Sequence, residues 1–69
     1  MRLSIRNQLP GVVESIQKGE AMAVVRVKLD GGQLVTSAVT KEAVDDLELA
    51  EGSKVTVMVK STEVGLAVD

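Results

Sequence analysis

Met22-Ala23-Val24-Val25-Arg26-Val27-Lys28-Leu29-Asp30-Gly31-Gly32-Gln33-Leu34-Val35-Thr36-Ser37-Ala38-Val39 reads as two strands folded back on one another. Val25, Val27 and Leu29 alternate with Arg26 and Lys28, the period-two pattern of a half-buried strand. Asp30-Gly31-Gly32 supplies residues that tolerate positive φ, so the chain reverses there. Residues 33–39 then return beside residues 22–29.

Upstream of this hairpin the same reasoning predicts a strand over residues 12–17, joined to it by a Lys18-Gly19-Glu20 turn. Another strand is expected over residues 3–8, ending before Pro10-Gly11, a turn signal. Downstream, Thr40 suits a helix N-cap, with Glu42 in the first turn. Ala43, Val44 and Leu47 follow at helical spacing, and Glu51-Gly52 stops the element. Residues 54–60 form the clearest strand, with Val55, Val57 and Val59 on one face and Thr56, Met58 and Lys60 on the other. A short last strand is expected over residues 64–68. This order predicts a mainly β fold. It suits a small OB-like barrel of five to six strands, with one short helix plugging an end, in a single domain spanning residues 1–69.

A 69-residue chain has room for one core and buries a limited share of its surface. Small domains commonly add disulfides, a metal or partner subunits. With no Cys and no His, disulfides and the usual zinc sites are excluded, which leaves oligomerisation. Apolar residues make up 45% of the chain, yet Phe, Trp and Tyr are all missing, so no large ring anchors the core. A net charge of −2 argues against a general nucleic-acid partner, and any anion must be held by local donors. The longest apolar run, Ala21 to Val25, is far short of a membrane span. Met1-Arg2-Leu3-Ser4-Ile5-Arg6 has no hydrophobic signal core, so a cytoplasmic location without membrane contact is expected.

Catalysis is not expected. The commonest general base and thiol nucleophile are missing, and there is no GxxxxGK[ST] or GxGxxG phosphate loop. Asp45, Asp46 and Glu48 read as a solvated face near the helix, not a metal centre. No cofactor is implied.

What the chain does offer is hydrogen-bond donors. Ser4, Arg6 and Asn7 lie on the first predicted strand, Thr36 and Ser37 sit together on the fourth, and Lys60-Ser61-Thr62 follow the most apolar one. A tetrahedral dianion presents only acceptors. Rotatable hydroxyls, a cationic side chain and adjacent backbone N–H groups therefore suit it. Each cluster also has a plainer reading. Ser4 and Arg6 could keep an edge strand soluble, and Thr36-Ser37 could be ordinary strand filling. Lys60-Ser61-Thr62 could be a polar strand exit, a reading that weighs the same as an anion site.

In chain order, Ser4-Ile5-Arg6-Asn7-Gln8-Leu9, Gly11-Val12-Val13, Gly31-Gly32, Val35-Thr36-Ser37, Glu51-Gly52 and Val59-Lys60-Ser61-Thr62 resemble the molbindin (Mop) family of small molybdate-binding proteins. The opening is similar to that family's Ser-Ala-Arg-Asn-Gln. Ile5 stands where the family has a small Ala, so its side chain must point away from a ligand approaching the backbone. The resemblance implies an OB-like fold and a hexamer built as a trimer of dimers, with molybdate or tungstate bound between subunits. Carried over, Ser4, Arg6, Thr36, Ser37, Lys60 and Ser61 would be the donors, with Ile5, Asn7 and Thr62 as weaker candidates. The implied role is intracellular molybdenum storage and homeostasis.

A second resemblance covers less than half the chain. Val39-Thr40-Lys41-Glu42-Ala43-Val44, then Leu47, Leu49, Glu51-Gly52 and Val55, is similar to AbrB-type DNA-binding antitoxins. It implies a transcriptional regulator. The acidic balance and dispersed basic residues oppose that reading, and the missing aromatics oppose a single-strand binder.

Overall fold

The computed structural model describes residues 2–69. Its elements are β1 (Asn7–Lys18), β2 (Met22–Leu29), β3 (Leu34–Thr40), α1 (Lys41–Asp46), β4 (Lys54–Val59) and a single 3-10 turn, Ser61–Glu63. The four strands form one antiparallel sheet in the order β3-β2-β1-β4, curled into a half-barrel. The predicted hairpin is there: Val25 faces Ser37 and Val27 faces Val35, and the Gly32 N–H donates to the Leu29 carbonyl at 2.9 Å.

Inward-facing aliphatic side chains make the core. Val13, Ala23, Val25, Val27 and Val44 are buried, with Ile16, Leu29, Val39, Leu49, Val55 and Val57 packed around them. Helix α1 closes one end of the curl by inserting Val44. Thr40 caps it as expected, its hydroxyl accepting from the Ala43 N–H at 3.0 Å.

The helix ends in a Schellman motif. The Leu49 N–H donates to Val44 O at 3.0 Å, and the Glu48 N–H donates to Asp45 O at 3.1 Å. The motif requires a left-handed residue, and Glu48 fills it at φ 52°. Glu48→Gly removes that strain and a negative charge from the helix C-terminus. We expect it to stabilise the fold by about 1 kcal/mol, read as a higher urea midpoint at unchanged slope.

The sequence reading is corrected at four places, the first at the helix end: α1 stops at Asp46, closed by left-handed Glu48 ahead of the expected Glu51-Gly52 stop, and Leu47 is exposed. Pro10-Gly11 does not turn the chain: the two predicted strands over residues 3–8 and 12–17 merge into the single 12-residue β1, and residues 3–6 lie outside it. Pro10 is tolerated there because its carbonyl faces Asp30, whose N–H donates to it at 3.3 Å, just past the end of β2. The N–H that proline lacks would point the same way, away from β4, so the β1–β4 ladder loses no bond. Next, residues 64–68 form no strand, because they have no neighbour to pair with: Leu66 is 96% and Val68 98% exposed. Among the described residues the sheet therefore has four strands, not five or six. Finally, β4 stops at Val59, and Lys60 is the N-cap of the 3-10 turn.

Candidate oxyanion site

The ends of β1 and β4 lie side by side, because Asn7 pairs with Val59 at the last rung of their ladder. The chain before Asn7 and the chain after Val59 therefore leave the sheet together. Ser4, Ile5, Lys60, Ser61 and Thr62 line one open recess there, of about 200 Å³. Five of the nine sequence-predicted residues thus meet, although the chain separates the two groups by more than fifty residues.

Chemically this recess is a donor site. It offers the hydroxyls of Ser4, Ser61 and Thr62 and the ammonium of Lys60. Among the described residues the N–H groups of Ser61 and Thr62 donate to no backbone carbonyl, since the turn's own bonds run from Glu63 to Lys60 and from Val64 to Ser61. Lys60 has no acidic partner among the described residues, where the ion pair formed is Lys18 with Asp45 at 3.0 Å. Those residues contain no cluster of acidic side chains able to hold a metal cation.

The other candidates fall elsewhere. Asn7 turns its side chain to the sheet, donating to the Val59 carbonyl at 3.0 Å. Arg6 is exposed and does not line the recess. Thr36 and Ser37 sit on β3, which occupies the edge of the sheet opposite β4. As neighbours on a strand they face opposite ways. Ser37 is half-buried across from Val25 and lines an apolar recess with Val39, Leu49 and Val57, while Thr36 is exposed across from Arg26. One chain therefore brings the Lys60 group together and leaves Thr36, Ser37 and Arg6 apart.

A larger recess of about 480 Å³ is lined by Pro10, Val12, Asp30, Lys54 and Thr56 among others. The Asp30 carboxylate opposes a dianion there, so chemistry favours the smaller recess despite its size. Sequence reasoning did not single out Gln8, whose Nε2 donates to the Ile5 carbonyl at 3.0 Å. It stood at the end of the expected strand over residues 3–8, within the Ser4–Leu9 stretch of the resemblance, where nothing marked it as more than a polar strand end.

The sequence pattern of the TOBE domain matches residues 3–66. The chain belongs to the TOBE family. Within it the Mop type fits, as the molbindin resemblance implied. The chain is 41% identical over 64 residues to molybdenum-pterin-binding protein 3 of Clostridium pasteurianum, covering 93% of this chain and 94% of that one. It superposes on a molybdate-binding protein from Sporomusa ovata with a TM-score of 0.94 and 38% identity, covering 99% of this chain and 100% of the other. The cytoplasmic molybdate-binding protein ModG, solved with molybdate bound, gives a TM-score of 0.96 at 43% identity. That match covers all of this TOBE chain and 49% of ModG. These likenesses establish the OB-like fold of this TOBE domain.

Proposed function

We propose that this single TOBE domain binds molybdate, with tungstate as an alternative ion, and carries out no chemistry on it. The observation that carries the reading is the convergence of Ser4, Lys60, Ser61 and Thr62 on one recess, in a chain whose relatives are named for binding molybdenum-pterin or molybdate. An oxyanion suits those donors. A pterin ring would want an aromatic face to stack on, and the chain has no aromatic residue. The family and the relatives lend no support to the AbrB-type alternative.

We further infer that the complete site forms between subunits. Thr36 and Ser37, on the edge strand opposite β4, can join the Lys60 group only if a second chain supplies them, and Arg6 points out of the recess toward such a chain. The surface supports a partner: it measures 5524 Å², where a compact 7.3 kDa monomer exposes about 4,200 Å². The radius of gyration, 12.8 Å, likewise exceeds the roughly 11 Å of a compact chain this long. Leu34, Leu47, Leu66 and Val68 are all more than half exposed. The reading is a homo-oligomer, a hexamer by analogy, storing molybdate in the cytoplasm. Among the described residues no helix is long and apolar enough to cross a membrane.

Native mass spectrometry during titration with molybdate, tungstate, sulfate and phosphate tests both parts. The expected result is a closed oligomer that takes up molybdate or tungstate and discriminates against phosphate. At neutral pH phosphate retains an O–H, and a pocket offering only donors leaves it unpaired, at about 1–3 kcal/mol. A monomer at micromolar concentration would refute the assembly, and equal uptake of phosphate would refute the donor-only pocket.

A further inference from the structure

The Ser4-Ile5-Arg6 arm makes no backbone–backbone hydrogen bond among the described residues, yet it forms one wall of the Lys60 recess. Two side-chain amides hold it. Asn7 Nδ2 donates to the Val59 carbonyl at 3.0 Å, spanning 52 residues of chain and tying the root of the arm to the residue before Lys60. Gln8 Nε2 reaches back to the Ile5 carbonyl at 3.0 Å and folds the arm against the start of β1. Neighbours on a strand point to opposite faces, so the Asn7 amide braces the root of the arm against β4 from one face of the sheet while the Gln8 amide holds the arm's Ile5 carbonyl from the other. Asn7 is half-buried and Gln8 exposed. The first bond is therefore partly shielded from water, and the second is replaceable by it.

We propose that Asn7 and Gln8 are positioning residues: they touch no ligand, and they set the distance between the Ser4 hydroxyl and the Lys60-Ser61-Thr62 turn. This rests on the oxyanion reading of that recess. A donor pocket discriminates by fit, and fit requires that its two walls keep one separation. Without the amides, the arm joins the sheet only through its covalent link to Asn7, and ordering it falls to the ligand.

Molybdate titration of the intact protein, with a double-mutant cycle, provides the test. Asn7→Leu should weaken binding about tenfold and Gln8→Leu about threefold, in keeping with a part-buried and an exposed hydrogen bond. Subunit number should not change. In a Ser4→Ala background, where the arm no longer presents its hydroxyl, Asn7→Leu should cost less than twofold more. A merely structural Asn7 would give additive losses instead, and additivity overturns the proposal. So does wild-type affinity in Asn7→Leu. Gln8→Leu leaves the ladder untouched and keeps the test valid if Asn7→Leu fails to fold: wild-type affinity in it then overturns the paired grip. Lys60→Met separates the two levels of inference. If that variant binds as wild type does, the recess is not the site. If it fails to bind while Asn7→Leu binds normally, the recess stands and the positioning role falls.

Discussion

Lys60→Met should weaken molybdate binding by about 30-fold to several thousand-fold, the 2–5 kcal/mol lost when a charge-assisted partner of a buried anion is removed. The recess holds three hydroxyl side chains but one cation, Lys60. A dianion leaving water is costly unless it is both paired and hydrogen-bonded. The net charge of −2 gives no long-range help, so the nearby ammonium carries the attraction. Met keeps the length and the apolar stem. Lys60 is exposed and lies beyond the end of β4, so the substitution disturbs no ladder bond and no core contact. Folding and assembly should be those of wild type, checked by circular dichroism and native mass. Lys54→Met is the control: Lys54 lies at the other end of β4, in the recess that Asp30 shares. Calorimetric titration that finds equal affinity in Lys60→Met and wild type would place the site elsewhere on the molecule.

Local chemistry was readable from the residues; chemistry that depends on a neighbour was not. The β2–β3 hairpin, its Gly-Gly reversal and the Thr40 cap each depend on residues a few positions apart, and each appears where alternation and capping rules put it. Pro10 misled because its meaning depends on which neighbour its missing N–H would face. The end of β2, some twenty residues away, decides that. Residues 64–68 carry strand-like side chains, but a strand exists only with a partner, and none of the described residues pairs with them. The candidate site divides the same way. Lys60-Ser61-Thr62 was visible as a polar exit from an apolar strand, and either reading of it stayed open. Its meeting with Ser4 follows from the Asn7–Val59 rung, which composition and spacing do not encode. That Thr36 and Ser37 face opposite ways was implicit in strand alternation, though their adjacency suggested a pair.

Gly11→Ala should cost the fold about 3 kcal/mol, the upper end of what overpacking a close-packed interior costs. A Cβ at Gly11 would lie 2.6 Å from the Lys28 carbonyl oxygen and 2.8 Å from Val27 Cγ1, with Leu29 Cα at 3.2 Å. Two of those three atoms are backbone, so no rotamer change relieves the contact. Gly11 is also, with Val12, one of the two residues that both ladders share: it pairs with Leu29 on β2 and with Val55 on β4. Pushing β2 away there opens the sheet at its centre, beside buried Val13 and Val27. For a chain this short, 3 kcal/mol lowers the melting temperature by roughly 12–24 °C, compared at equal protein concentration. Gly65→Ala is the matched control, because a Cβ there meets nothing within 4 Å. Well below its melting point, the Gly11→Ala protein should keep molybdate affinity within about threefold of wild type, since Ser4 and Lys60 lie beyond the Asn7–Val59 rung and the strain is released by unfolding. Equal melting temperatures for the two glycine variants would mean that β1 and β2 can part at Gly11 without cost, and the close approach would then be incidental to the fold.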